Sequence, residues 1–461
     1  MKKTLCMILS VIMVLSLFAG CGKTAEEPAP AADPAAETPA ETPAETPAES
    51  SNPFEGQTLK VAAFEGGFGV QYWENICNAF EEAYGVTVEL TTSPTIDDII
   101  RPQMIAGEYP DIMFVNTGNS ALYKEMLSEH AFMDLAEVFA GPALDKDCTL
   151  GELIADGLFE TTAFNPYHDG QVIRAPVSSN GLGLVYNKAL FEENGWTFPT
   201  TWDEFFALGD AAKEKGLVLF TYPGIYPNYC STFLYGALAG ALGVDALLQL
   251  EDYDASCLET EEAKQIFADM AKAISPDYLM PGTVGLNHTQ SQAEFMLNKA
   301  LIIPNGDWMP SEMADAPLAD GFVWAAAPAL TLSADQTNYY QLICDGFEVP
   351  NAAANKELAK EFIRFFYTDE AQRFMCEAGI TCCTKNFMEV AGDLLPAEKK
   401  AFLEMRNSAA AFSISYAAVD TKLNVIDALF YNMTSVANGE MDAEAWRLDC
   451  IDTFKRIAAG E

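Results

Sequence analysis

The side chains best placed for chemistry lie in a few aromatic and polar segments. Asn305-Gly306-Asp307-Trp308 follows the apolar run 300–303, so a Gly-containing turn at a strand end presents an indole and a carboxylate. Tyr222, Tyr226 and Tyr229 crowd a loop after the apolar run 218–222. Glu65 to Phe68 and Asn116 to Asn119 follow two further strand-like runs. Flat rings cover C–H faces, and carboxylates and amides satisfy a polar rim. Such a set grips a small polar molecule without breaking bonds. His130, His168 and His288 lie far apart with no ligand-like spacing, so no metal site is expected. The chain has no Gly-x-Ser-x-Gly, His-Glu-x-x-His or phosphate-cradling Gly loop, and no cofactor is expected.

Composition narrows the partners. The 461 residues include 67 acidic and 26 basic side chains, a formal charge of −41. A surface this negative repels phosphate backbones and anionic membrane surfaces, so nucleic acid is excluded as a partner. Half the residues are hydrophobic, enough for a large core. Single cores stop growing near about 250–300 residues, so at least two lobes are expected.

The N-terminus reads as an address. Lys2 and Lys3 precede a fourteen-residue apolar stretch, Leu5 to Phe18, shorter than a membrane span. Phe18-Ala19-Gly20-Cys21 then resembles the lipobox of bacterial lipoproteins, with Phe18 in place of the usual Leu. That resemblance implies removal of residues 1–20 and acylation, including palmitate, at Cys21. No later segment is apolar enough to span a membrane. Residues 21–56 carry repeated Glu-Thr-Pro-Ala and read as an extended, disordered spacer. Of the 11 cysteines, nine remain after Cys6 and Cys21, an odd number without a Cys-x-x-Cys. Adjacent Cys382 and Cys383 suit no relaxed bridge with each other. Free thiols in an exported chain suggest a reducing habitat, with most cysteines acting as small core hydrophobes.

Periodicity supplies the elements. Thr58–Phe64 reads as a strand, Tyr72–Tyr84 as a helix closed by Gly85, and 86–90 as a second strand. A helix over 97–106 and a strand over 110–115 follow. This α/β order predicts a parallel sheet with ligands at the carboxyl ends of its strands. Further strands are expected over 177–186, 218–222 and 300–303. Helices are expected over 202–215, 233–242, 261–274, 356–367 and 370–378, and the stretch from Lys399 reads as mostly helical. Trp73, Phe362, Phe365 and Phe366 sit on apolar helix stripes and are expected in the core.

Four segments together resemble extracellular solute-binding proteins of ABC importers, in the family that contains the maltose-binding protein. They are Gly107 to Ile112, Leu184 to Phe191 with Pro199 to Glu204, Phe295 to Trp308, and Val349 to Gln372. Their order and spacing cover almost all of 57–461. The resemblance implies two α/β lobes, each a sheet flanked by helices, joined by hinge strands around a sugar. Residues 57–182 and 346–406 would form lobe 1, and 183–345 with 407–461 lobe 2. Crossings are expected near Gly181–Leu184, Asp345–Phe347 and Arg406–Ala410. Trp308 matches the family's sugar-stacking Trp, with Asp307 beside it. Tyr222 and Tyr226 match its aromatic loop, and Asn180 its polar ligand residue beside the hinge. Glu65 and Asn116 match lobe 1 loop positions, with Phe68 alongside, and Asp345 lies at a hinge. The implied protein is a lipid-anchored, extracellular monomer that hands a carbohydrate, with an amino sugar favoured by the 221–227 loop, to a membrane permease. The competing readings are an exported glycoside hydrolase, which needs a carboxylate pair that no motif isolates, and a binder of another solute such as a polyamine.

Overall fold

Alternation makes Thr58–Phe64 a strand with both faces covered: Leu59, Val61 and Ala63 face one apolar cluster and Ala62 another. The structure is a computed structural model that describes residues 52–118, 120–414, 423 and 425–461, the side chains of 427 and 428 excepted. The expected signal segment, Cys21, the spacer up to residue 51 and Asn119 lie outside the described residues. Strand β1 (Thr58–Phe64) pairs in parallel with β2 (Thr87–Ser93) on one side and β3 (Ile112–Phe114) on the other. The helix Gln71–Tyr84 ends at Gly85 in the left-handed conformation, φ 61°. Together with Lys356–Phe366 and Asp369–Glu377, this helix covers one face of the sheet. Helices Ile96–Ile105 and Ala121–Ser128 cover the other.

The second sheet contains β4 (Ala175–Asn187), β5 (Ile302–Gly306), β6 (Trp324–Ala327), β7 (Tyr339–Phe347) and β8 (Ala410–Phe412). Its order is β5-β4-β7-β8, with β6 also on β4; β4 meets its partners antiparallel, and β7 meets β8 parallel. β4 serves two cores. Ala175 and Val177 join the cluster around Trp73, whereas Leu184 joins a separate cluster around Phe205, Phe233 and Trp446. β7 does the same, with Phe347 in the first cluster and Tyr339 against the second. The fold is thus α/β with two lobes.

Some local expectations shift. The segment 218–222 is not a continuous strand, making single bridges only at Phe220, parallel to Leu279 and Ile302. β5 runs on through Asn305 and Gly306, paired with Gly183 and Leu182, so the turn starts at Asp307. Strand pairing keeps buried backbone groups satisfied there, which a Gly-based turn reading overlooks. β8 interrupts the expected helical C-terminus. Residues 53–56, read as spacer, form a turn in which Phe54 packs edge-on against Tyr84 at 6.2 Å.

Trp73 is fully buried, as its apolar stripe suggested, with Phe114, Phe347, Phe362 and Phe366 rings 5.5–6.5 Å away. Trp73→Ala is expected to cost about 3–5 kcal/mol of stability, read from the urea midpoint. An unchanged midpoint would show that this ring does not hold the first core together.

Candidate functional site

Where the two cores end, β4 and β7 expose polar residues to each other. Ser178 pairs with Asp345 in the ladder. The Asn180 amide donates to Asp345 Oδ2 at 2.9 Å and to Ser178 Oγ at 2.9 Å, and Ser178 donates to the same carboxylate oxygen at 3.1 Å. Asn180 Oδ1 has no protein partner among the described residues. Burial holds Asp345 above the ordinary carboxylate range; Arg174 opposes the shift and Asp307 adds to it.

One residue along β4, Gly181 meets the turn after β5. Its N–H donates to Asp307 Oδ2 at 3.2 Å, and the Asp307 N–H donates back to Gly181 O at 3.1 Å. Lys399, on the helix Ala397–Ser408, pairs with the same carboxylate at 2.9 Å, both side chains buried. Burial pulls the Lys399 ammonium below its usual range, against the attraction of Asp307. Asp307 Oδ1 is left unpartnered among the described residues.

Trp308 stands next in the chain, half-buried between the lobes. A side chain at Gly67, in the loop after β1, would come within 2.9 Å of the indole, and one at Gly306 would lie inside it. Both glycines are therefore places where backbone approaches the ring. The Phe68 ring lies 5.1 Å from Lys399 Nζ, and Tyr229 meets Trp308 edge-on at 6.4 Å. Tyr226 is exposed, 5.7 Å from the His288 ring. Behind it, Gln292 donates to Glu312 at 2.8 Å.

The structure brings together Asn180, Asp345, Asp307, Trp308 and Phe68. Glu65 and Asn116 are both exposed, each two residues beyond the register pair Ala63 and Phe114, at the same end of the first sheet. Tyr222 differs from expectation. It is fully buried, stacked on Phe220 at 5.9 Å, and its hydroxyl has no partner among the described residues. The cause is Gly224, whose missing side chain lets the backbone of Thr283 and Val284 press in. That close approach folds the start of the loop into the second core and leaves Tyr226 and Tyr229 nearer the surface. Lys399 and Arg406 were not anticipated. Arg406 donates to Ser179 O at 2.9 Å and to Ser179 Oγ at 3.1 Å. The available signal was a lysine on the same helix stripe as Phe402 and Met405.

The lobes also touch elsewhere. Thr162 donates to Glu251 at 3.0 Å, and beside this contact lies a cavity of about 320 Å³ lined by Glu160, Thr161, His168, Leu248 and Asp252. Its size falls within the range of small-molecule sites.

The profile of the bacterial extracellular solute-binding protein family matches residues 75–391, more than half of the chain. The chain belongs to that family. This solute-binding protein is 26% identical over 332 residues to the diacetylchitobiose binding protein of Streptomyces coelicolor, covering 70% of this chain and 69% of that one. It is 30% identical over 177 residues to a probable sugar-binding periplasmic protein of Rhizobium meliloti, 37% of this chain and 42% of that one. Its fold matches a chitin oligosaccharide binding protein with TM-score 0.69 at 21% identity, covering 88% of this chain and all of that one. Among the described residues, no helix is long and apolar enough to cross a membrane.

Asp345, on β7 opposite Ser178 in this solute-binding protein, makes a pH test possible. Asp345 binds its proton more tightly in the folded state than in the unfolded one, so its contribution to stability is lost as pH rises through its raised folded value. The melting temperature of the unaltered protein should therefore fall relative to that of Asp345→Asn as pH rises above the ordinary aspartate value of about 4. Parallel profiles would mean that Asp345 titrates normally.

Proposed function

We propose that this protein is the capture component of an ABC importer and that its ligand is a carbohydrate bearing N-acetylated amino sugars. The observation that carries the reading is Trp308, at a strand end in one lobe and covered by the Gly67 loop of the other. Hinge opening would free that ring face, and a sugar entering between Trp308 and the loop would touch both lobes only on closure. Tyr229 and Phe68 add apolar surface, and Asp307, Asp345 and Asn180 supply the polar side. The unpartnered Asn180 carbonyl can accept from a sugar hydroxyl or an acetamido N–H. Names among the relatives support the same class, a diacetylchitobiose binder and a chitin oligosaccharide binder.

The rest of the cycle follows from this reading. The closed, loaded protein is presented to a membrane permease, opens, and releases its sugar unchanged. Acylated Cys21 would keep the monomer on the outer face of the cell membrane. Palmitate labelling of the full chain is expected and should vanish in Cys21→Ser; label that persists in the variant would place the lipid elsewhere or nowhere.

Calorimetry tests the ligand. Diacetylchitobiose should bind with a dissociation constant near ~1 µM, about −8 kcal/mol. Trp308→Ala should weaken it at least about tenfold, in line with the loss of one ring stack and its contact area, without unfolding the protein. Tighter binding of maltose would reject the amino-sugar assignment, and binding of spermidine alone would reject the carbohydrate. Cleaved oligosaccharide after incubation would mark an enzyme instead.

A further inference from the structure

The geometry points to a buried dithiol, Cys376 and Cys382, that closes into a disulfide when the chain folds in an oxidising medium. Cys376 is in the last turn of the helix Asp369–Glu377. The chain then reverses at Gly379, φ 82°, where the Gly379 N–H donates to Cys376 O at 2.9 Å and the Ile380 N–H to Met375 O at 3.0 Å. This reversal lays residues 381–384 back along the helix. The Cys382 sulfur reaches Gln372 O at 4.0 Å, and Gln372 is one helical turn before Cys376, on the same face. Both thiols are buried in the first core, where each shifts the other's protonation, Cys376 downward and Cys382 upward. Cys382 and, more weakly, Lys399 pull the Cys376 thiol below its usual range and suit it to attack first, whereas Cys376 and burial push the Cys382 thiol up.

The neighbouring thiols are excluded by backbone geometry. Cys382 and Cys383 are consecutive in an extended segment, so their side chains point to opposite faces. Cys383 instead has its thiol pushed up by Cys344 and by burial. However, Cys344 lies on β7, paired with Ser179, whereas Cys382 bridges Ser178 from the other edge of β4. With β4 between them, the two backbones are about 9.6 Å apart by strand spacing. That exceeds the roughly 7 Å limit between Cα atoms for a disulfide.

The oxidant is an external disulfide, such as oxidised glutathione. Cys376 thiolate attacks one of its sulfurs, breaks the S–S bond and expels one thiolate. Cys382, once deprotonated, attacks the Cys376 sulfur of the mixed disulfide and expels the second. Two protein thiols are oxidised, one external disulfide is reduced to two thiols, and the two protein protons end on those thiols. The loop to be closed is short, so the step can precede burial of the pair.

The reduced full chain is refolded in a glutathione redox buffer, alkylated under denaturing conditions and digested with trypsin. The peptide between Arg373 and Lys385 carries Cys376, Cys382 and Cys383. It should bear one alkyl group, on Cys383, and be about 2 Da lighter than the remaining composition requires. Adding dithiothreitol to the oxidised protein should lower its melting temperature by several degrees, and Cys376→Ser with Cys382→Ser should abolish that shift. Three alkyl groups on the peptide, a glutathione adduct as the end product, or a bridge involving Cys383 would overturn the proposal. The readout is covalent and needs no sugar, so its outcome is separate from the ligand assignment.

Discussion

A strand shared by two cores has to cross the space between them without stranding its polar groups, and this constraint organises the molecule. β4 and β7 are apolar where they enter each cluster and polar between them. Ser178, Asn180 and Asp345 satisfy most of one another there, and Gly181 shares two hydrogen bonds with Asp307. A buried polar group without a partner costs about 1–3 kcal/mol, so so dense a set of donors and acceptors persists only if nearly all are engaged. The same groups that keep the crossing folded are those left facing the space between the lobes.

The ion pair of Lys399 with Asp307 extends this logic to the helix Ala397–Ser408. A carboxylate buried alone is costly, and the ammonium from the helix Ala397–Ser408 pairs with it at 2.9 Å. Arg406, lower on that helix, holds Ser179. One helix thereby grips both the hinge strand and the turn that carries Trp308. The placement of Trp308 thus rests on an ion pair at the preceding residue, Asp307, and on the helix that carries Lys399.

Much of this was legible in the sequence. Thr58–Phe64 and the helix closed by Gly85 appear where apolar period and a positive-φ glycine put them, because both signals are local. The core position of Trp73 follows from its helix stripe for the same reason. Tyr222 was not legible, since its burial depends on Gly224 admitting backbone from residues sixty positions later in the chain. Lys399 was only half legible: its place on the stripe of Phe402 and Met405 marks it as buried, but its partner lies 92 residues away. The family resemblance gave the position of Asn180, but its link to Asp345 is a register fact of β4 and β7 that only pairing reveals.

Phe54 against Tyr84 gives the molecule a mechanical polarity. The chain enters the folded body on the lobe of β1, clamped by that ring contact and by the Gly56 N–H on Gly85 O at 2.9 Å. Any pull arriving from the N-terminal side is therefore borne by this lobe, whose sheet and flanking helices take the load. The opposite lobe is joined to it through β4 and β7 and meets it again at Thr162 and Glu251, so that load reaches it only second-hand.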